Sequence, residues 1–476
     1  MEIILIKAAQ LVLCLALLII LHEGGHFMFA KLFKIRVEKF FLFFDWKYKI
    51  FSTYSPWFRK LIGKAPIEKD EKGNYIYSGT EYGIGWMPLG GYVKIAGMID
   101  ESMDKEQMAM PPQPWEFRTK PAWQRLLVML GGVMMNFIVA LVLYGMILFV
   151  WGETYVPVKD MNQGFTFNEQ AHKLGFQEGD ILVSADSETF RDFNVNMIRT
   201  ISNAKEISVL RNGKPATIQM PEGGVSLLEM MQADKPFVSV NVPTVVDSVI
   251  AGTSAAKAHI AKGDTIKSFN GVALSNWSDY LAQVSKLSQS LEGATTNDSL
   301  RKRNVTITVA KANTGKLDTT KVLLDEELHM GITQTTMYHL YKTVTQEYSI
   351  IEAIPGGVML GLNTIKGYIS DLKYIPTKEG VKSLHGPLLI GKMFPDTWNW
   401  EAFWKLTAFI SIILAVMNLL PIPALDGGHA VFCLIEMIFR KKFSVKFQER
   451  AQLVGMILLL VLMVYALGND IFTFLF

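Results

Sequence analysis

The chain has 476 residues, of which 50% are hydrophobic and 19% charged, and its formal net charge is +3. This composition is too apolar for an ordinary soluble protein and too polar for membrane spans alone, so we expect several helices in lipid beside a sizeable aqueous part. The small charge argues against nucleic-acid binding. The two cysteines, Cys14 and Cys433, lie in apolar segments, which argues against a disulfide framework or a cysteine metal site.

The first apolar segment, residues 1–30, is long enough to cross a bilayer, which takes about 20 residues. It contains the run His22-Glu23-Gly24-Gly25-His26. On a helix, residues i and i+4 share a face, so His22 and His26 can bind one Zn²⁺ while Glu23 acts as the catalytic base. The alternative is a polar helix end that anchors the span at the interface. An ionisable group inside a bilayer costs about 2.5–3.5 kcal/mol, which favours a functional role.

Residues 31–125 are rich in Lys and Arg and are predicted to form a cytoplasmic loop. Within this loop, residues 82–97 are glycine-rich and barely charged, and two β-prone runs flank Pro88-Leu89-Gly90-Gly91. We predict a membrane-associated β-hairpin here. Its residues Gly90, Gly91, Tyr92 and Val93 are expected to bind an extended substrate by strand pairing. The alternative is an ordinary folded cytoplasmic hairpin.

A second span is predicted at 126–151, where Asn136 is the one strongly polar residue. Asn136 follows Gly131 and Gly132, which permit close helix packing, and we interpret it as a structural residue.

The sequence beyond the second span repeats itself. Gly179-Asp180 and Gly263-Asp264 each follow a short helical stretch and precede an apolar strand. A repeat of this size predicts two modules of one fold, at 152–240 and 241–335. The pattern resembles PDZ domains, which are β-rich modules that bind extended peptides by strand addition.

Residues 336–400 follow the repeat and have apolar positions at helical spacing, with a break at Pro355-Gly356-Gly357. We predict an amphipathic helical region on the outer membrane face. A helix packed into the protein interior is an equal alternative.

The third span, predicted at 401–429, contains Asn418, the helix breakers Pro421 and Pro423, and then Asp426. A catalytic zinc site usually has three protein ligands, and Asp426 is the candidate for the third. A plain helix N-cap is the alternative. The amide of Asn418 can donate to a developing oxyanion or to a substrate carbonyl, whereas the alternative is a helix–helix hydrogen bond.

A second basic loop is predicted at 430–452 and a fourth span at 453–476. Because basic loops stay in the cytoplasm, the predicted ligands fall at the cytoplasmic ends of their spans, and residues 152–400 lie outside. The sequence therefore predicts a multi-span α-helical membrane protein with four transmembrane helices, two β-rich PDZ-like modules and a membrane-associated β-hairpin.

Taken together, these motifs resemble the site-2 protease family of intramembrane metalloproteases, and most closely the bacterial regulator-of-sigma-E proteases. The resemblance covers nearly the whole chain, from the His22–His26 span through Pro88–Tyr92 and Trp123–Arg125 to Asn418–Gly427. It implies Zn²⁺ bound by His22, His26 and Asp426, with Glu23 as base. It also implies location in the bacterial inner membrane, and single-span substrates that are trimmed outside the membrane beforehand.

The resulting hypothesis is an intramembrane zinc endopeptidase that cleaves single-span membrane proteins such as anti-sigma factors, and signal-peptide remnants. Its expected partners are these substrates, membrane lipid, and a peptide or substrate ectodomain at the PDZ-like modules, without nucleic acid. Two alternatives are a non-enzymatic membrane scaffold that captures peptides and a metal or ion transporter. The intact His-Glu-His-Asp set argues against the first, and the absence of paired broken helices argues against the second.

Overall fold

The structure is a computed structural model that describes residues 2–65, 67–69, 79–88, 90–98, 110–232, 235–377, 380–381 and 386–475. The chain forms two compact units. The first comprises residues 1–152, 347–376 and 381–475, and the second comprises residues 153–346 with the short stretch 377–380.

The helices and strands are numbered here in chain order. The helices are α1 Glu2–Leu32, α2 Pro56–Leu61, α3 Ala122–Trp151, α4 Glu169–Lys173, α5 Val195–Asn203, α6 Leu227–Gln232, α7 Ser254–Lys257, α8 Trp277–Leu291, α9 Thr296–Arg303, α10 Met337–Leu340, α11 Ile350–Asp371, α12 Pro387–Lys392, α13 Trp400–Leu419, α14 Asp426–Phe439 and α15 Val445–Leu475. The strands are β1 Val37–Leu42, β2 Phe44–Ser52, β3 Glu81–Met87, β4 Tyr92–Ile95, β5 Glu153–Tyr155, β6 Phe165–Phe167, β7 Ile181–Ala185, β8 Glu188–Thr189, β9 Glu206–Arg211, β10 Lys214–Gln219, β11 Val238–Val240, β12 Val246–Val249, β13 Thr265–Phe269, β14 Val272–Ala273, β15 Asn304–Ala310, β16 Leu317–Leu323, β17 Ile332–Gln334 and β18 Val344–Gln346.

Long apolar helices dominate the first unit. Among the described residues, four helices are long and apolar enough to cross a membrane: α1, α3, α13 and the stretch Val445–Phe472 of α15. The prediction of four membrane helices is therefore confirmed. Helix α3 packs against α1, α11, α13 and α14. The α1 contact is backbone to backbone, because a Cβ at Gly25 would lie 2.1 Å from the carbonyl oxygen of Gly131. Glycine at both positions lets the two helices approach this closely.

The predicted third span is two helices rather than one. Helix α13 ends at Leu419, and α14 starts at Asp426. Pro421 and Pro423 cannot continue the helix, and Ala424 between the two helices has a φ of +88°. The predicted loop at 430–452 is largely helical, since α14 runs to Phe439 and α15 begins at Val445. The basic residues of this stretch indicate a side of the membrane and say little about backbone conformation.

The predicted hairpin at 82–97 is wrong in its pairing. Both runs form strands, β3 and β4, but the sheet order is β2-β3-β1-β4, so β1 lies between them. Strand β1 pairs in parallel with β3, where Phe40 lies opposite Tyr82, and antiparallel with β4, where Phe40 lies opposite Val93. Strand β1, Val37–Leu42, offers two edges to strands that follow it in sequence. The outcome leaves β4 at one edge of the sheet and β2 at the other.

Two modules of equal strand order make up the second unit. The first contains a sheet β10-β9-β7-β8 and the pair β11-β6, and the second contains a sheet β14-β13-β15-β16 and the pair β12-β17. Each module has its own buried apolar core, which includes Phe167 and Phe237 in the first and Phe269 and Trp277 in the second. The repeat in the sequence thus corresponds to a repeat in topology.

The repeated Gly-Asp pair has the same structural role in both modules. Asp180 accepts the backbone N–H of Gln177 at 2.9 Å and pairs with Arg211 at 2.7 Å. Asp264 accepts the N–H of Ala261 at 3.0 Å and pairs with Lys311 at 2.9 Å. Each aspartate is almost completely buried, so it closes the turn before a central strand and neutralises a cation from a later part of its module.

The chain enters and leaves the second unit side by side. Strand β5, at its start, pairs antiparallel with β18, at its end, with Thr154 opposite Thr345. The hydroxyl groups of these two threonines lie 2.9 Å apart.

The predicted helical region 336–400 contains α10, α11 and α12. Helix α11 begins with a capping box, in which Ser349 N–H donates to the Glu352 carboxylate at 2.9 Å. It continues through Pro355, its sixth residue, without the predicted break, although proline there cannot donate a backbone hydrogen bond to the Ile351 carbonyl. A Cβ at Gly357 would lie 2.3 Å from the backbone nitrogen of Gly145, so α11 packs directly on the backbone of α3.

Candidate metal centre

Helix α1 presents His22 and His26 on one face, as the i, i+4 spacing predicts. Their Nε2 atoms lie 3.3 Å apart, and the two rings meet edge to face at an interplanar angle of 79°. Both side chains are largely buried. One turn of helix is therefore enough to aim two imidazole nitrogens at a common point.

The break between α13 and α14 brings Asp426 to the same point. Asp426 is the first residue of α14 and not its N-cap, which is Leu425. Its Oδ2 atom lies 3.2 Å from His22 Nε2 and 3.3 Å from His26 Nε2. The structure thus brings together three side chains that the sequence analysis selected from distant parts of the chain.

This triangle of atoms fits a tetrahedral zinc ion. Ligand atoms at about 2.0–2.1 Å from a tetrahedral Zn²⁺ lie about 3.3–3.4 Å from one another, close to the three observed separations of 3.2–3.3 Å. The Oδ2 atom of Asp426 is buried and has no hydrogen-bond partner among the described residues. Two imidazole nitrogens and one carboxylate oxygen also match the ligand preference of zinc.

Glycine on α3 leaves room for the ion. A Cβ at Gly132 would lie 2.4 Å from His26 Nε2 and 2.7 Å from His22 Nε2. Any side chain at this position would collide with the candidate ligand atoms. The sequence predicts Gly132 only as a site of helix packing, and its place beside the ligand atoms was not predicted.

Helix α3 also contacts the far side of each imidazole. His26 Nδ1 lies 2.8 Å from the carbonyl oxygen of Val128, and His22 Nδ1 lies 3.1 Å from Nδ2 of Asn136. Asn136 is completely buried, and its backbone carbonyl oxygen accepts a hydrogen bond of 2.8 Å from the Ser411 hydroxyl. The interpretation of Asn136 as a packing residue was incomplete. A polar side chain one turn beyond Gly132 was the signal for its place at the site.

A cavity of about 1060 Å³ surrounds these groups. Its lining includes His22, Glu23, His26, Asn418 and Asp426. The backbone of Val93 lies beside the Glu23 carboxylate. Asn418 is near the end of α13 and is partly buried. The candidate base and the candidate oxyanion donor therefore face one chamber.

The start of β4 forms one wall of the cavity, through Gly90, Gly91, Tyr92 and Val93. The Tyr92 hydroxyl donates to Asp45 Oδ1 at 2.9 Å, which fixes the ring against the sheet. Although the predicted hairpin does not form, the residues expected to bind substrate lie at the cavity. Tyr92 and Val93 belong to the edge strand β4, which has β1 as its partner in the sheet, and Gly90 and Gly91 directly precede this strand.

His429 lines the cavity as well, one turn after Asp426. Its Nε2 atom lies 3.0 Å from Oε1 of Gln452 on α15. This contact joins the helix that carries Asp426 to the last apolar helix.

The sequence profile of peptidase family M50 matches residues 10–74 and 72–462. The chain is 28% identical over 490 residues to Protease RseP of Yersinia pestis, with 98% of each chain covered. It is 27% identical over 479 residues to the Regulator of sigma E protease of Haemophilus influenzae, covering 96% of this chain and 97% of the relative. A relative from Vibrio cholerae, whose name places it among zinc metalloproteases, is 26% identical over 483 residues. The match covers 96% of this chain and 97% of the relative.

The family match extends over the apolar helices and the candidate metal centre alike, and the relatives are bacterial. The protein is thus a membrane-embedded bacterial enzyme whose cofactor is Zn²⁺. The chain belongs to peptidase family M50 and is a zinc metalloprotease of the site-2 type.

Proposed function

We propose that this protein cleaves single-span membrane proteins within the bilayer, with His22, His26 and Asp426 as its zinc ligands. The observation that carries the proposal is the separation of 3.2–3.3 Å between the three ligand atoms, which lie on apolar helices of one unit. A site so placed in a membrane protein meets peptide bonds of other membrane segments.

His22, His26 and Asp426 would hold the zinc ion, which would supply a lowered pKa of bound water and polarisation of a carbonyl group. Glu23 takes a proton from the attacking water and delivers it to the nitrogen of the leaving amide. Asn418 donates an amide N–H to the carbonyl oxygen as its negative charge develops.

Strand β4 supplies the binding surface for the substrate in this proposal. A transmembrane helix has to unwind before its peptide bonds become accessible, and pairing with an edge strand stabilises the extended form. Gly90, Gly91, Tyr92 and Val93 line the cavity that contains Glu23, which supports this role.

The substrates that we propose are anti-sigma factors and signal-peptide remnants, after trimming outside the membrane. Two of the relatives carry names that refer to regulation of sigma E or to RseP, which supports a role in that pathway. We further propose that the two repeated modules are PDZ-like, lie outside the cytoplasm and contact the ectodomain of the substrate.

The enzyme is proposed to lie in the inner membrane with its metal centre toward the cytoplasm. Basic residues after α1 and between α14 and α15 support this orientation, since short basic loops stay in the cytoplasm.

The direct test is cleavage of a tagged single-span substrate by purified full-length protein in lipid nanodiscs. Glu23→Gln should retain one zinc per chain and lose cleavage, whereas His22→Ala should lose both. Glu401→Gln is the matched control, because Glu401 is a partly exposed residue of α13 paired with Lys405. Cleavage by the zinc-loaded Glu23→Gln enzyme would contradict the proposal.

Cysteine cross-linking tests the role of β4. A Tyr92→Cys variant should cross-link to cysteines placed at alternate positions of a substrate segment, because side chains of paired strands alternate with a period of two. Tyr48→Cys is the control, as Tyr48 is exposed on β2 at the opposite edge of the same sheet. Cross-links from β2 with the same yield and pattern would refute the assignment to β4.

A further inference from the structure

The two candidate histidine ligands differ in the group that contacts Nδ1, the ring nitrogen that faces away from the candidate metal position. An imidazole that binds a metal through Nε2 carries its proton on Nδ1, and that proton needs an acceptor. For His26 the acceptor is plain, because the carbonyl oxygen of Val128 lies 2.8 Å from Nδ1 and can only accept. Val128 therefore fixes His26 in the form that offers Nε2 to the metal.

For His22 the neighbour of Nδ1 is the amide of Asn136, with Nδ2 at 3.1 Å. An amide nitrogen donates, so this arrangement would leave Nδ1 without a proton and place the proton of the neutral ring on Nε2. That atom lies 3.2 Å from Asp426 Oδ2 and 3.3 Å from His26 Nε2. A protonated Nε2 cannot bind zinc, so this arrangement is incompatible with His22 as a ligand.

A half-turn of the Asn136 amide resolves the conflict. It exchanges the amide oxygen and nitrogen, so that the oxygen faces Nδ1 of His22. The half-turn breaks no hydrogen bond of Oδ1, because Oδ1 is buried without a partner among the described residues. The ring of His22 therefore decides which orientation is present.

The position of Asn136 is fixed by its surroundings. The residue is completely buried, and its backbone oxygen accepts the Ser411 hydroxyl from α13. One turn earlier on α3, Gly131 packs against Gly25 of α1, which sets the distance between the two helices. An acceptor held this firmly can orient the ring before the metal binds.

We propose that Asn136 is a positioning residue whose amide oxygen accepts the Nδ1 proton of His22 and so presents Nε2 to zinc. The inference rests on the proposed role of His22 as a zinc ligand. It gives the two imidazoles equivalent supports from one helix, a backbone carbonyl for His26 and a side-chain carbonyl for His22.

Zinc affinity of the full-length protein in detergent tests this inference without reference to activity. Apparent dissociation constants are measured by competition with a chelator of known affinity. Loss of such an acceptor typically weakens metal binding by about 10- to 100-fold. Asn136→Leu, of similar size and without an acceptor, should show a loss of this size. Asn136→Asp should bind zinc within a few-fold of the wild type, because a carboxylate oxygen also accepts.

The Asn136→Asp variant shows whether residue 136 acts as a hydrogen-bond acceptor, as a donor or only through packing. If the aspartate variant loses zinc as the leucine variant does, an acceptor at this position is not what supports His22, and this result would overturn the proposal. Equal affinity of Asn136→Leu and wild type would overturn it too. Asn136→Ala, purified as the folded fraction, replaces the leucine variant if that variant does not fold.

Two further variants show which part of the proposal is wrong if zinc affinity does not change as expected. Thr407→Val removes another completely buried polar group, whose hydroxyl bonds the carbonyl of Phe403 on its own helix, and should leave zinc affinity unchanged. His22→Ala tests the ligand itself. If His22→Ala binds zinc as tightly as the wild type, the proposed metal centre is wrong. If it loses zinc while Asn136→Leu does not, only the role of Asn136 is wrong.

Discussion

Arg125, near the start of α3, and Glu436, near the end of α14, form a buried ion pair with 2.5 Å between Nη2 and Oε1. Helix α14 begins with Asp426, and α3 carries Gly132 and Asn136. The pair therefore joins the helix that delivers the third candidate ligand to the helix that supports the other two.

Glu436→Gln should destabilise the protein by about 3–5 kcal/mol, because it leaves the Arg125 guanidinium buried without a counter-charge. Unfolding in a denaturing detergent series measures the change. The exchange Arg125→Glu with Glu436→Arg should recover part of the loss. Glu401→Gln, which breaks a more exposed pair with Lys405, should cost less than about 1 kcal/mol. Equal effects of the two single variants would show that the α3–α14 pair has no special role.

Gly132→Ala should abolish stoichiometric zinc binding, since its methyl group would lie 2.4 Å from His26 Nε2. Zinc content by mass spectrometry is the measurement. Gly468→Ala is the control, because a Cβ there meets no atom within 4 Å and helical alanine is favoured over glycine. Full zinc content in Gly132→Ala would mean that the ion sits elsewhere.

Asp470→Ala should weaken the attachment of α12 to α15. The buried Asp470 carboxylate accepts the backbone N–H of Gly386 at 2.8 Å and of Leu388 at 3.0 Å. Without it these buried donors lose their acceptor, at a cost of about 1–3 kcal/mol. Hydrogen exchange of residues 386–392 should rise strongly. Asp396→Ala, which removes an exposed ion pair with Lys7, should change that exchange little.

The second module should show a pH-dependent stability that depends on Asp264. Burial opposes ionisation of this carboxyl group, but hydrogen bonds from Lys311 and from the N–H groups of Ala312 and Ala261 outweigh it, so the pKa of Asp264 lies below its usual value. A pKa that is lower in the folded state contributes stability above the unfolded pKa of about 3.9. That contribution is lost as the pH falls through the folded-state value.

Calorimetry of the full chain between pH 7 and pH 3 tests this dependence. Asp264→Asn should unfold the module at a lower temperature than wild type at pH 7, and the difference should shrink below about pH 4. Asp298→Asn, at an exposed pair with Arg301, is the control. A difference that stays constant across the range would contradict the assignment.

The candidate ligands could be predicted because their signals are local. His22 and His26 lie at helical spacing in an apolar stretch, and Asp426 follows two prolines that end a helix. The topology around the sheet could not be predicted in this way. Whether β4 pairs with β3 or with β1 depends on a contact with residues about 50 positions earlier, and no local pattern specifies it.

The groups on α3 that contact the two histidines could not be predicted from the sequence, for a different reason. Val128 contributes a backbone carbonyl, which any residue type provides, so its sequence identity carries no signal. Asn136 did carry one, since a buried polar side chain in a span is costly, but the helix it faces is known only from the packing of α3 on α1.

The pairing of β5 with β18 places the first and last strands of the segment 153–346 side by side. Its two ends begin and finish at neighbouring points, so a short peptide from Gly152 to Glu347 spans the gap that excision would leave. Residues 153–346 therefore form one continuous segment of the gene that can be removed, exchanged or replaced by a fluorescent protein without cutting any helix of the first unit.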